Sequence, residues 1–396
     1  MIERHLLPIL LQRATQYPVV TVTGPRQSGK TTLCRQAFPE RPYANLERPD
    51  TREFARTDPK AFLAQFKPET GCVIDEIQRV PELLSWIQVA VDERPQMGQF
   101  ILTGSHQFEL SHHITQSLAG RTTLLKLLPL SIAEIAPTLP AYSADELMFK
   151  GGYPRIYDHN LDPAMVLGDY FETYVQRDLR DLMQLRNLPL FEKFVRLSAG
   201  RIGQLLNMSS LANDVGASSQ TIQEWISLLE ASFILFRLPP WFVNISKRLI
   251  KTPKLYFYDV GLAAWLMGIT RLEHLPTHPL RGHLFENLVV LEVLKSLHNA
   301  GAKPYLNFYR DAAGNEVDLL VEQGLGAHLL EIKAAQTVAS DAMNGVLKVK
   351  ELLGEKVLDL TLVYGGQEGQ QRSAFEVLPY YQVSQWCEEK LLSSSS

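Results

Sequence analysis

Residues 24–32 read GPRQSGKTT, and this stretch restricts the fold more than any other in the chain. Gly24, four residues, then Gly29-Lys30-Thr31 complete the pattern G-x-x-x-x-G-K-[ST], with Thr32 following. Such a loop needs a strand before it and a helix after it. PVVTVTG supplies a β-branched run of the kind found in buried parallel strands. KTTLCRQAF fits the first turns of a helix. The expected phosphate cradle is therefore Gly24, Pro25, Arg26, Gln27, Ser28, Gly29, Lys30, Thr31 and Thr32. Its backbone N–H groups would close round an anion at a helix N-terminus. Lys30 would reach the β- and γ-phosphates, and the Thr31 hydroxyl would ligate Mg²⁺.

Hydrolysis needs an acidic second strand, and CVIDEIQ at 72–78 provides one. Asp75 would hold the Mg²⁺ shell, while Glu76 would orient and deprotonate the attacking water. A third strand, QFILTGSHQ, ends in Thr103 and Ser105, where motor-type ATPases place a γ-phosphate sensor. Ser105 is favoured because it lies just past the apolar run, a turn or cap hydroxyl being the other reading. Arg121, in SLAGRT, reads equally as a finger reaching a neighbour's γ-phosphate or as a solvated arginine.

Taken together, GPRQSGKTT, NLERPD, VIDEIQ, ILTGS and SLAGR…LLPLSIAEI resemble a bacterial and archaeal branch of the AAA+ ATPases. The resemblance covers most of the chain, most specifically residues 18–135. It implies an ATPase core that uses ATP and Mg²⁺, and self-association into a homo-oligomer. Members of that branch usually carry a C-terminal domain of unknown function, often related to PD-(D/E)XK nucleases.

Composition sets outer bounds. The chain of 396 residues carries a net charge of −4, so any nucleic-acid contact must come from a local patch. Cys34, Cys72 and Cys387 show no paired metal spacing, and so sparse a count suits a reducing cytoplasm. No apolar run approaches the roughly 18 residues of a membrane span, so no membrane partner is expected.

The expected fold is α/β throughout: a P-loop AAA+ parallel sheet over 1–130, then a helical lid over 131–190. A winged-helix segment follows over 191–265, and a restriction-endonuclease-like α/β domain over 270–390. DYFETYVQRDLRDLMQL resembles the lid of an AAA+ ATPase, and its Arg177 and Arg180 read as nucleotide sensors or as solvated arginines. In the winged-helix segment, FEKFVRLSAGRIGQLL reads as one helix and MSSLANDVG as a second with a serine cap. SSQTIQEWISLLEASF reads as a third, capped by Ser218 or Ser219, and ILFRLPPWF as a wing strand. The third helix offers Ser219, Gln220, Gln223 and Glu224 but no cation, which argues against base reading. Lys247, Arg248, Lys251 and Lys254, in SKRLIKTPK, read as a clamp on DNA phosphates or as a solvated basic loop.

The late segment NEVDLLVEQGLGAHLLEIK holds two apolar runs around a turn. Asp318 in the first run and Glu331-x-Lys333 in the second match the PD-(D/E)XK pattern. Upstream, Glu286 recurs with Val290, Val293 and Leu297 and so points with an apolar stripe. Asp318 and Glu331 would then be Mg²⁺ ligands, with Glu286 in support and Lys333 steering water and phosphate. Two other readings stay open: a salt-bridge network in which the acids pair with Lys333 or Arg310, and a nuclease frame without activity. The functions that follow are ATP-dependent DNA processing or defence, or an ATP-driven oligomeric switch that binds a protein partner.

Overall fold

In the computed structural model, which describes residues 2–105, 117–138, 143–176, 187–241 and 251–393, the phosphate loop rises from a five-stranded parallel sheet. The strands are β1 (Val19–Thr23), β2 (Tyr43–Asn45), β3 (Cys72–Asp75), β4 (Phe100–Gly104) and β5 (Thr122–Lys126), in the order β2-β3-β4-β1-β5. The central strands β1, β3 and β4 are buried along their whole length, as parallel strands covered on both faces must be. The period-two alternation divides their side chains between two cores. Val19, Cys72, Ile74 and Leu102 join Leu84 and Ile87 on one side. Val20, Val22, Val73 and Ile101 join Leu10 and Leu33 on the other. Because all five strands run the same way, their carboxyl ends share one edge. The segments after β1, β3 and β4 meet there, where ligands bind in open α/β sheets.

This sheet belongs to a compact unit ending at Leu130, to which Ala231–Phe233 and His298–Ala302 also belong. The rest of the chain forms a second unit. Within that unit the helices Leu188–Ala199, Met208–Val215 and Ser219–Ala231 precede an antiparallel pair, β6 (Leu235–Leu238) with β7 (Lys254–Phe257). The first helix ends at Ala199, earlier than FEKFVRLSAGRIGQLL suggests. The cap of the second is Asn207, whose Oδ1 accepts from the Ser210 N–H at 2.9 Å, rather than a serine. Ser218 caps the third, its Oγ accepting from the Thr221 N–H at 3.0 Å.

A six-stranded mixed sheet follows in the same unit, ordered β12-β13-β11-β10-β9-β8. Its strands are β8 (Leu306–Arg310), β9 (Glu316–Gln323), β10 (Gly326–Lys333), β11 (Val357–Tyr364), β12 (Gln370–Gln371) and β13 (Glu376–Pro379). β9 and β10 form a tight hairpin through Gly324, at φ +60°, and fully exposed Leu325. Val346, Val349 and Leu353 of the helix Asn344–Leu353 pack with Leu329 and Leu362 of the sheet. The long helix Arg281–Asn299 carries Glu286. No described helix is long and apolar enough to cross a membrane.

Candidate functional sites

The loop after β1 departs from ordinary backbone where the motif requires it. At Gly24, φ is +151°, and a Cβ would lie 2.1 Å from the Leu127 carbonyl oxygen, so only glycine fits. Gly29, at φ +93°, precedes the helix Lys30–Ala37. Buried Lys30 donates from Nζ to the carbonyls of Gly24 (3.0 Å) and Pro25 (2.7 Å). Burial lowers its pKa to about 8, against the opposing pull of Glu76 and Asp75. Buried Arg4 braces the loop from the N-terminal segment, donating to the Ser28 carbonyl at 2.5 Å and the Leu128 carbonyl at 2.7 Å.

Asp75, at the end of β3, gathers hydroxyl groups. Thr31 Oγ1 donates to both its oxygens, at 3.1 and 3.0 Å. Thr103 Oγ1 donates to Oδ1, and the Tyr43 hydroxyl to Oδ2 at 2.5 Å. Glu76 follows in left-handed backbone at φ +58°, and its N–H donates to Thr103 Oγ1 at 3.3 Å. Its carboxylate accepts from Gln78 Nε2 and, at 3.4 Å, from Ser105 Oγ. Desolvation raises the Glu76 pKa, while Lys30 holds it down. One edge of the sheet thus brings together Lys30, Thr31, Asp75, Glu76, Thr103 and Ser105. The nearby Arg26 lies 3.9 Å from Glu47. Arg121 forms a bidentate pair with Asp92 at 2.6 and 2.8 Å, on an exposed part of the same unit.

The second site is a cleft of about 640 Å³ lined by Lys254, His283, Glu286, Glu316, Asp318 and Lys333, among others. The β9–β10 register sets Leu319 opposite Leu330, which carries Asp318 to the vicinity of Glu331. Asp318 Oδ2 accepts from the Ile332 N–H at 3.0 Å. Lys333 pairs with Glu331 and lies 3.9 Å from Asp318. Arg310 pairs with Glu316 at 3.4 Å.

The centre of this cleft is a side chain that the sequence reading placed elsewhere. Lys254 Nζ lies 2.8 Å from Glu286 Oε1, 2.8 Å from Glu316 Oε1 and 3.6 Å from Asp318 Oδ1. Its side chain is 4% exposed, so Lys254 is no part of a phosphate clamp at the surface. The cause is local: Lys254 opens β7, and Lys254 and Tyr256 share a strand face. The Tyr256 hydroxyl donates to the same Glu286 oxygen at 2.5 Å. That alternation was readable in KLYF, but the basic stretch before it hid the signal. Of the other clamp candidates, Lys251 is exposed, and Lys247 and Arg248 lie outside the described residues. Arg177 and Arg180 also lie outside them.

Among the described residues, no three His, Cys, Asp or Glu side chains are arranged to hold a metal ion. Of the acids read as a metal site, with Asp318 and Glu331 as ligands and Glu286 in support, Glu286 and Asp318 face the Lys254 ammonium and Glu331 pairs with Lys333. The ion-pair network read as an alternative describes the observed contacts. Burial, with Glu286 next, raises the Asp318 pKa to about 6. Burial, with Asp318 next, raises the Glu331 pKa to about 8, although Lys333 opposes both shifts. Burial alone would depress Lys254, but Glu286, Asp318 and Glu316 outweigh it and raise its pKa.

With this geometry in view, residues 16–136 match the family model described as "AAA domain". Residues 142–273 and 281–383 match two models described as domains of unknown function, DUF8612 and DUF4143. The chain thus carries an AAA-type P-loop domain. An uncharacterized protein of Mycobacterium tuberculosis, Rv2008c, is 31% identical over 373 residues, covering 93% of this chain and 81% of its own. Uncharacterized protein Mb2031c of Mycobacterium bovis matches to the same extent. The chain belongs to the family of these proteins. Among solved structures, the Walker-type ATPase PABY2304 of Pyrococcus abyssi is similar with 17% identity and a TM-score of 0.46, over 67% of this chain and 96% of its own.

Proposed function

We propose that the chain binds ATP with Mg²⁺, hydrolyses it, and acts as an ATP-driven switch. The observation that carries this is the Asp75 carboxylate, held by Thr31 and Thr103, with Glu76 turned beside it onto Ser105 and Gln78. A hydroxyl and a carboxylate 3.0 Å apart are hard oxygen donors of the kind Mg²⁺ takes, so Thr31 and Asp75 would hold it. When bound, Mg²⁺ supplies charge neutralisation between the phosphates. Lys30, held on loop carbonyls and in no ion pair among the described residues, can turn its ammonium to the β- and γ-phosphates. Glu76, whose pKa is raised by burial, accepts the proton of the attacking water, and Ser105 with Gln78 orients its carboxylate. Self-association would bring Arg121 to a neighbouring subunit's γ-phosphate. Its bond to Asp92 is an exposed pair that is easily exchanged.

In the second unit, we read the three helices with the β6–β7 pair as a winged-helix-like docking element. The exposed face of the helix Ser219–Ala231 presents Ser219, Gln220, Gln223 and Glu224, without a cation for DNA. The restriction-endonuclease-like reading of the C-terminal sheet retains one observation in its favour. Asp318, Glu331 and Lys333 lie together at the end of the β9–β10 hairpin, and Glu331 Oε2 has no hydrogen-bond partner among the described residues. It would make the protein a metal-dependent DNA-processing enzyme. Lys254 weighs against that and for a protein-interaction module driven by the ATPase.

The decisive test of the ATPase is Glu76→Gln. It should still retain ATP and Mg²⁺ while turnover falls by about 10²–10⁴, the usual contribution of a general base. Wild-type turnover in a folded Glu76→Gln chain would refute the assignment.

A further inference from the structure

We infer that Lys254 is the resident cation of the C-terminal acidic cleft, and that a divalent metal ion of the Mn²⁺/Mg²⁺ class binds there only when the Lys254 charge is removed. The inference rests on the reading of the cleft as non-cleaving and is independent of the nucleotide site.

An ammonium group has three donors and no acceptor, so it can serve several carboxylates at once. Lys254 does this, reaching Glu286 and Glu316 at 2.8 Å each and Asp318 at 3.6 Å. The Phe308 ring lies 5.5 Å from the same nitrogen and adds a π face to its cage. A hard divalent ion sits about 2.0–2.6 Å from its oxygen ligands. It would need the volume that Nζ fills, so the two cations exclude each other. The other basic side chains at the cleft, among the described residues, lie at its margin: Arg310 on Glu316, Lys333 on Glu331 and Asp318, and His283 3.6 Å from Glu286, each partly exposed. They cannot neutralise the floor of the cleft by themselves.

Lys254 comes from a different part of the chain than the acids it serves. It lies in the segment 142–273, whereas Glu286, Glu316 and Asp318 lie in the segment 281–383. The carboxylates converge on the one ammonium, at spacings set by it and wider than a metal ion's ligand shell. The Tyr256 hydroxyl and the Ile332 N–H fix two of them, and four acids line or border one cleft. Without the ammonium, buried Glu286 and Asp318 and half-buried Glu316 would repel one another, and a divalent ion would relieve that repulsion by drawing them together.

The test is calorimetric titration of Mn²⁺ into the nucleotide-free full chain as wild type, Lys254→Arg, Lys254→Gln and Lys254→Gln/Asp318→Asn. Wild type and Lys254→Arg should show no heat that depends on Asp318. Lys254→Gln should gain about one equivalent of Mn²⁺, at least about ten-fold tighter than wild type, and the double variant should lose it. If Lys254→Gln folds poorly, its melting temperature is read with and without Mn²⁺. A rise that disappears with Asp318→Asn supports the inference, because a ligand of the folded state stabilises it; no rise overturns it. Asp318-dependent Mn²⁺ binding by the wild type would also overturn it, and would restore the metal-dependent reading of the cleft. Absence of gain in Lys254→Gln, with the wild type silent, would overturn it while leaving the cleft non-cleaving.

Discussion

Each of the two sites places a buried lysine near carboxylates, and the two lysines respond in opposite directions. Lys30 has Asp75 and Glu76 nearby, yet its pKa falls to about 8, because burial outweighs their attraction. Lys254 has Glu286, Glu316 and Asp318, and its pKa rises, because three carboxylates outweigh burial. The geometry explains the difference. Lys30 is anchored on two neutral carbonyls, and the acids beside it are held by Thr31, Thr103, Tyr43, Gln78 and Ser105. It is a positive charge short of an anion, as a phosphate-binding lysine should be. Lys254 touches the acids directly and completes their neutralisation. One lysine is built to receive a ligand, the other to stand in for one.

Removing each lysine should therefore have opposite consequences, and this is the largest expected contrast. Lys30→Ala deletes a desolvated charge held on two neutral carbonyls, so the melting temperature should hold or rise. ATP affinity should fall about 10–100-fold, the scale of a lost charge-assisted contact. Lys254→Ala leaves buried acids without their counter-ion and should cost about 3–5 kcal/mol of stability. ATP affinity should be unchanged. Parallel denaturation and nucleotide titration of the two variants check this. A Lys254→Ala chain as stable as wild type would dissolve the comparison.

A smaller effect comes from Glu331. Its folded pKa of about 8 lies above the ordinary value of 4.5. The folded state therefore holds the proton more tightly than the unfolded one. The stability this gives is fully present below about pH 4.5 and is lost as pH rises towards 8. Glu331→Gln should remove that loss, giving a chain about 1–3 kcal/mol more stable than wild type at pH 8 and equal to it near pH 4.5. A difference that does not change between those pH values would mean Lys333 compensates the charge fully.

How much of this was visible in the sequence differs between the sites for a physical reason. The phosphate loop, the acidic pair at the end of β3 and the hydroxyls at the end of β4 were legible because each is a local signal. An apolar run of buried strand ends in polar residues, and parallel topology then brings the ends together. The β9–β10 hairpin was legible for the same reason, through EQGLG between two apolar runs. Arg4 was not legible, because its partners Ser28 and Leu128 are chosen by packing across 24 and 124 residues. Lys254 carries two conflicting signals, a basic neighbourhood and a strand alternation, and the alternation decides its place. A lysine after a basic stretch looks solvated, whereas its position in β7, two before Tyr256, turns it inward. Tyr43 gave no signal at all, since β2 is only three residues long.

Tyr43 also yields the smallest and most discriminating prediction. Tyr43 is 37% exposed and its ring lies under the Arg35 guanidinium at 5.2 Å, so little of the core depends on it. Its hydroxyl nevertheless donates to Asp75 Oδ2 at 2.5 Å, while Thr103 takes Oδ1. Hydrogen bonds on opposite oxygens fix the plane of the carboxylate, leaving Thr31 to approach both. Tyr43→Phe removes one of these restraints at a cost of about 0.5–1.5 kcal/mol, or about two- to ten-fold in an equilibrium constant. The loss should fall on Mg²⁺: the half-saturating Mg²⁺ concentration for ATP turnover rises by that factor. Turnover at saturating Mg²⁺ and the melting temperature should stay close to wild type. A merely structural tyrosine would shift the melting temperature instead. A fall in half-saturating Mg²⁺ would show that the hydroxyl competes with the ion for Asp75, making Tyr43 a small counterpart of Lys254 and not a positioning residue.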